Sequence, residues 1–307
     1  MIKEALFIFI LFFSHLVFAQ NKDRGAVTNT MVNANKAASD AFDTVTERLD
    51  LFLSGETYTT KKTKSTLTLK NEVYWLEGNG DEADFSSQFD IRLHLPNLEE
   101  KWALRFTSYD EDETERGVNR RRPTRTTPQE NYGTSLAVLQ KLGDFEITFR
   151  PRIKIKDNIE TTHLLRIENK AEFTYVTFKP RLELYANSEV GTGQFLALNF
   201  EFPVAENFTF EIANEQEYAN NNNLLSTNNE FALLQSLSDN QSLKYALLYQ
   251  CDNKPNFHLV EYAFSIFYGH SILKNVLHYG VRPFVFFNEE RSFRPKNGIS
   301  LTFDLIF

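Results

Sequence analysis

The sequence predicts an all-β fold, an antiparallel transmembrane β-barrel of about 14 strands preceded by an amphipathic helix. Three observations predict it. From Ser65 onward apolar and polar residues alternate with a period of two, which gives each strand one apolar and one polar face. Charged residues sit in the middle of the polar faces, while the only long apolar run is residues 5–18. Aromatic residues make up 14% of the chain, with 29 Phe and 12 Tyr, as suits a surface that meets lipid and its interfaces. Mean hydropathy is -0.39. That excludes a bundle of membrane helices but not a barrel, whose strands are only half apolar.

Residues 1–19 read as a secretory signal peptide. Lys3 precedes the apolar run Ala5 to Phe18, and Val17-Phe18-Ala19 gives small residues at cleavage spacing, so Gln20 is the expected new amino terminus. No Cys stands directly after the cleavage point, which argues against a lipoprotein. An uncleaved membrane helix is the alternative, but a span needs about 20 apolar residues.

Residues 20–64 are a separate unit, lying in the periplasm or plugging the lumen. Met31, Ala34, Ala38, Ala41, Val45, Leu49 and Phe52 step by three and four, which is helical spacing, and predict a helix over 27–53. Gly55 is placed to end it. Glu56 to Lys64 is a polar linker.

Residues 65–307 form the barrel. Strands are expected near 66–77, 84–95, 101–109, 132–142, 145–156, 163–174, 176–186, 194–203, 207–218, 229–238, 242–251, 257–269, 275–287 and 299–307. An even number puts both barrel termini on one side, with connections alternating short and long. Pro96–Glu100, Leu142–Asp144, Pro203–Glu206 and Ser238–Gln241 fall where short turns belong. Asp110–Asn131, Ala219–Asn228 and Asn288–Gly298 fall where long outer loops belong. Segments 132–142 and 229–238 are weakly patterned, and 12 strands is the alternative count. Three prolines sit inside expected strands after a basic residue, Arg150-Pro151, Lys179-Pro180 and Arg282-Pro283. Proline cannot donate to a ladder, so bulges, strand ends or shifted boundaries are expected there.

The final segment alternates strictly, with Ile299, Leu301, Phe303, Leu305 and Phe307 on one face and Ser300, Thr302 and Asp304 on the other. It resembles the closing strand of bacterial outer-membrane β-barrels, which typically ends in an aromatic residue. The resemblance implies an outer-membrane location in a Gram-negative bacterium, partners in the lipid bilayer, lipopolysaccharide and the outer-membrane assembly machinery, and an assembly signal at Phe307. Phe89-Asp90-Ile91-Arg92-Leu93-His94-Leu95-Pro96, then Leu104-Arg105-Phe106, the acidic Asp110–Glu113, and Arg294-Pro295 with Gly298–Leu301 resemble a group of uncharacterised proteobacterial secreted barrel proteins. That likeness is structural and implies no activity.

Chemistry is sparse. The single Cys251 excludes a disulfide framework and any Cys-based metal site. A net charge of -8 argues against a nucleic-acid partner. His15, His94, His163, His258, His270 and His278 include no pair at metal spacing and no HxS motif, and no GxSxG or HExxH occurs. The chain therefore reads as non-enzymatic, with no metal and no cofactor. The loop Asp110–Asn131 begins acidic and turns basic through Arg116, Arg120, Arg121, Arg122 and Arg125. It is either a self-paired solvated loop or a contact for lipopolysaccharide phosphates.

The lumen is the candidate site. Segments 145–156, 163–174 and 176–186 carry Arg150, Arg152, Lys154, Arg166, Lys170, Lys179 and Arg181 on their polar faces, mixed with Glu146, Glu168, Glu172 and Glu183. Segments 194–203 and 207–218 carry Glu201, Glu211, Glu215 and Glu217 with no base in that stretch. Either the charges fill and close the lumen, or they form a constriction that orients polar solutes. The expected function is a channel or transporter for small polar or charged solutes. A closed structural or surface-interaction barrel is the alternative.

Overall fold

In a computed structural model, residues 24–55, 65–77, 83–97, 102–108, 132–155, 159–189, 191–273 and 276–307 are described. The expected signal peptide and the charged segment Asp110–Asn131 lie outside them. Helix α1 spans Arg24–Ser54. Fourteen long strands follow: β1 Thr66–Leu76, β2 Asp84–His94, β3 Trp102–Thr107, β4 Tyr132–Leu142, β5 Phe145–Ile155, β6 Ile159–Asn169 and β7 Thr177–Asn187. They continue as β8 Gly191–Ala205, β9 Phe208–Ala219, β10 Leu224–Ser238, β11 Gln241–Asp252, β12 His258–Ile272, β13 Leu277–Asn288 and β14 Lys296–Ile306.

Each strand pairs antiparallel with its neighbours in sequence. β6 pairs with β7, and β1 pairs with β14 from Thr68↔Ile306 to Leu76↔Gly298, which closes the ring. The fold is a closed antiparallel 14-strand barrel with an amino-terminal helix. Most strands are 11 residues or longer. That is enough to cross a bilayer, since a tilted strand needs about 9–11 residues.

Alternation becomes burial. Along β5, Phe149 and Ile153 are 45% and 47% exposed on the outer face, while Arg150 and Arg152 between them are 6% and 3% exposed. In a water-soluble sandwich the sense would be reversed. An apolar outside around a charged inside is the arrangement that lipid requires. Aromatic rings gather on the outer face near the end that carries the chain termini, where Phe178, Phe200, Phe202 and Phe210 follow one another at 4.8, 6.4 and 6.3 Å.

Connections at this terminal end are tight. Gly143-Asp144 joins β4 to β5, with Gly143 at φ +62°, a value two-residue hairpin turns require. Glu206-Asn207 and Asp239-Asn240 are likewise two residues long. The expected turn at Pro203–Glu206 is shorter than the pattern implies, because β8 runs through Pro203 to Ala205 and absorbs a bulge beside Phe208. The expected long loop Ala219–Asn228 is also shorter. β10 begins at Leu224, and only Asn220–Asn223 turn. Asn228, Asn229 and Glu230 interrupt the apolar alternation that marks a strand, so its first residues were hidden in the sequence.

The three prolines sit inside their strands. At Pro151 the β4–β5 ladder skips from Ser135↔Arg152 to Val138↔Phe149, and at Pro283 the β12–β13 ladder skips from Ser265↔Phe284 to Tyr268↔Val281. At Pro180 the β6–β7 ladder stops at Glu168↔Arg181 and resumes at Ala171↔Phe178. The residue sums stay constant across each gap, so register is kept without a bulge. A missing N–H opens one side of the strand while the other side stays paired.

Helix α1 ends where Gly55 takes φ +73°. It meets the terminal end of the barrel. Asp50 accepts from the Asn97 backbone and side-chain amides at 2.9 Å each, and the Asn35 amide donates to the Ile306 carbonyl at 2.7 Å. Thr46 and Asp50 are buried, whereas Val45 and Phe52 are 64% and 80% exposed. The polar face docks, and part of the stripe expected to need a partner stays open.

Candidate functional site

The inner face is built two residues at a time. β5, β6 and β7 present Arg150, Arg152, Lys154, Arg166, Lys179 and Arg181, and acids lie directly across the ladders from Lys154, Arg166 and Arg181. Lys154 Nζ meets Glu160 Oε2 at 2.8 Å. Arg166 Nε donates to Glu183 Oε1 at 2.8 Å, and Arg181 Nε approaches the same oxygen at 3.3 Å. One carboxylate thus serves two guanidiniums. The Arg181 guanidinium also lies 5.0 Å from the centre of the Phe195 ring. Arg152 rests against Gly133 of β4, where a Cβ would meet its Nη2 at 2.6 Å. β2 and β3 extend the basic arc, with Asp90 held by Arg105 and Arg92.

Two residues expected on this inner face, one basic and one acidic, are elsewhere. Lys170 and Glu172 pair with each other on the exposed connection between β6 and β7, because the ladder opens opposite Pro180.

The opposite arc, β8 to β12, is acidic. Its inner face carries Glu201, Glu211, Glu215, Glu217, Glu230 and Glu261. Glu201, Glu211, Glu215 and Glu217 come from a stretch without a base, and strand pairing brings bases to Glu201 and Glu211 from other strands. Lys179 of β7 pairs with Glu201. Lys244 of β11 reaches Glu211 at 2.7 Å and Glu230 at 2.8 Å. Glu217 accepts from the Tyr185 hydroxyl at 2.9 Å across Gly193. Glu215 is buried at 1% exposure. The arc keeps a surplus of acid, since Lys244 serves two carboxylates. No periodicity in the sequence places Lys244 beside Glu211, because that contact depends on the register set by the β10 turns.

A third arc is apolar. Tyr74 of β1 stacks on Phe284 of β13 at 5.6 Å, and Phe286 and Ala263 pack beside them. Arg282 lies 5.1 Å over the Phe267 ring. The sequence reading singled out charges on the polar rows. These inward rings are in phase with the polar rows, whereas the aromatic content of the sequence suits the lipid-facing surface and its interfaces.

Among the described residues, two cavities open at the terminal end of the lumen. One, about 610 Å³, is lined by Lys141, Glu146, Glu168, Lys179 and Arg181 on the basic side. The other, about 390 Å³, lies under β10 to β14 and is lined mainly by hydroxyl, amide and imidazole groups. Among the described residues no group of His, Cys, Asp and Glu is placed to hold a metal ion.

No family model and no curated protein sequence matches the chain. Solved structures with a similar overall shape are outer-membrane proteins. The outer membrane channel DcaP of Acinetobacter baumannii has a TM-score of 0.47 at 7% identity, over 81% of this chain and 99% of that one. OccAB3 of the same organism gives 0.47 at 9% identity, over 80% and 99%. The KdgM porin gives 0.36 at 5% identity, over 78% and 98%. Likeness at this level is one of barrel shape, and no residue role is taken from it.

Proposed function

We propose that the chain is a channel of the Gram-negative outer membrane for small polar or charged solutes, with its terminal end in the periplasm. The observation that carries this is the inner face, divided into a basic arc on β2–β7 and an acidic arc on β8–β12 inside a closed, apolar-coated barrel. Fourteen strands about 4.8 Å apart and tilted about 40° enclose a cylinder roughly 14 Å in backbone radius, wider than the eight-strand size that side chains fill. Opposed arcs of charge set a field across that lumen, which orients dipolar and charged solutes.

Conductance across a planar bilayer tests this. Glu211→Gln with Glu215→Gln should shift selectivity away from cations, and Arg150→Gln with Arg152→Gln should shift it toward them. Both effects should shrink near 1 M salt, where the Debye length falls to about 3 Å. A barrel that never conducts, with or without residues 21–54, sinks the channel reading. It would favour a closed surface-interaction barrel, a reading supported by the burial of Glu183, Glu215 and Glu230 to 1%.

The signal peptide, the lipid and lipopolysaccharide contacts and the recognition of Phe307 by assembly machinery belong to the same proposal. They rest on the sequence pattern.

A further inference from the structure

Three inward residues at the terminal end stand side by side on three consecutive strands. Ser271 of β12 pairs with His278 of β13, and His278 pairs with Asp304 of β14. All three line the 390 Å³ cavity. The Ser271 backbone N–H donates away from β13, to the Asn240 carbonyl at 2.8 Å. Ser271 and His278 are therefore a non-hydrogen-bonded pair, the type whose side chains approach most closely, with Cα atoms about 4.5 Å apart. Cβ atoms of facing residues lie about 4.5–5.5 Å apart, so the imidazole in this row falls within hydrogen-bond reach of the serine hydroxyl on one side and the carboxylate on the other.

The order is nucleophile, base, orienting acid. We propose that Ser271, His278 and Asp304 form a serine-nucleophile hydrolytic site for small acyl esters at the terminal mouth of the lumen. Serine is a weak nucleophile alone and needs an adjacent base, itself oriented by a third group. The geometry supplies each in turn. Ser271 Oγ attacks the acyl carbon, and its proton passes to the His278 ring. The bond from the acyl carbon to the alcohol oxygen breaks, and the alcohol leaves with that proton. Water then attacks the acyl-serine, gives a proton to His278, and releases the acid as Ser271 recovers it.

The surroundings select the substrate class. Ser236, Ser242 and Thr302 offer hydroxyls, Asn240 and Gln241 offer amides, and Phe267 offers one apolar wall. On the same inward face, the Ser242 and Thr302 hydroxyls are the donors placed for the oxyanion that forms on the carbonyl oxygen. A cavity of about 390 Å³ lies within the usual small-molecule range of roughly 300–1,000 Å³. It suits a short acyl chain on a polar alcohol. Sequence reading missed the set because residues 271, 278 and 304 match no linear motif and meet only through strand register.

The folded full-length barrel in detergent should be treated with a fluorophosphonate probe and, separately, with a p-nitrophenyl butyrate assay. Wild type should label at Ser271, located by peptide mass, and hydrolyse the ester. Ser271→Ala should abolish both. His278→Asn and Asp304→Asn should each slow labelling by at least about a hundredfold, the usual contribution of general-base catalysis. Heat-modifiable migration of each variant shows whether it folded. If a variant does not fold, labelling of the wild type alone decides. No labelling, labelling at another serine, or Ser271 labelling in folded variants that ignores both partner changes would overturn the proposal. It stands or falls independently of conductance.

Discussion

Arg105 of β3 grips Asp90 of β2 through two parallel hydrogen bonds, Nε to Oδ1 at 2.8 Å and Nη2 to Oδ2 at 2.7 Å. Both are buried, at 8% and 3% exposure, whereas the Arg92 side chain that shares Asp90 is 57% exposed. Magnitudes separate the two arginines. Removing one partner of a buried pair strands the other and costs about 3–5 kcal/mol, while an exposed pair contributes about 0–1 kcal/mol. Asp90→Asn should therefore lower barrel stability by about 3 kcal/mol in urea unfolding from lipid, and Arg92→Gln by less than about 1 kcal/mol. Equal effects would place Asp90 in open water.

Tyr74 and Phe284 stack across β14, and Gly298 between them leaves the space they need. A Cβ on Gly298 would collide with the Phe284 ring. Aromatic pairs contribute about 0.5–1.5 kcal/mol and overpacking costs about 1–3 kcal/mol. Gly298→Val should destabilise the barrel by about 2 kcal/mol, and Phe284→Ala in the same chain should relieve part of that loss. Additive losses in the double-mutant cycle would mean that the ring and the glycine are not coupled.

How much was legible follows from these contacts. The strand count and the inward phase of Arg150, Arg152 and Glu211 were readable, because a period of two survives any error in register. Helix α1 was readable from its three-four spacing and Gly55. Contacts between strands were not. Lys244 beside Glu211, and Ser271 beside His278, depend on connections whose length shifts pairing by single residues. Pro180 was misleading for another reason. It marks a one-sided ladder gap that exposes Lys170 and Glu172, and composition cannot distinguish such a gap from a strand end.

Lys244 holds Glu211 and Glu230 with one ammonium, at 2.7 and 2.8 Å. Lys244→Gln removes the one basic residue among the described inward positions of the acidic arc. If the barrel conducts, cation selectivity should rise, by more than Glu211→Gln lowers it, since two carboxylates are released at once. Reversal potentials across a salt gradient read this directly. A fall in cation selectivity would show that Lys244 itself does not neutralise the pathway.

Helix α1 touches the barrel through Asp50 with Asn97 and through Asn35 with Ile306. Such contacts contribute only about 0.5–3 kcal/mol each, against the ladders that close the ring. Deleting residues 24–54 while keeping residues 1–23 should leave heat-modifiable barrel at near wild-type levels. Loss of folded barrel would make the helix part of assembly.

Phe307 ends the chain beyond β14, yet its backbone still belongs to the wall. Its N–H donates to the Leu67 carbonyl at 2.8 Å, and the Leu67 N–H donates to the Phe307 carbonyl at 3.2 Å. Deletion removes these two hydrogen bonds, worth about 0.5–1.5 kcal/mol each, together with the ring. Phe307→Asp keeps the backbone pair and loses only a half-buried ring, less than the about 1.5–3 kcal/mol for full burial. On energetics alone, then, the substitution should be the milder change in purified, refolded protein. In cells the order should collapse. If the terminal aromatic side chain is what assembly machinery reads, Phe307→Asp and the deletion should deplete folded barrel alike, far beyond their cost in refolding. Quantifying heat-modifiable barrel in outer-membrane fractions beside urea midpoints of refolded protein separates the two. Wild-type levels of the Asp variant in cells would reduce Phe307 to an ordinary wall residue.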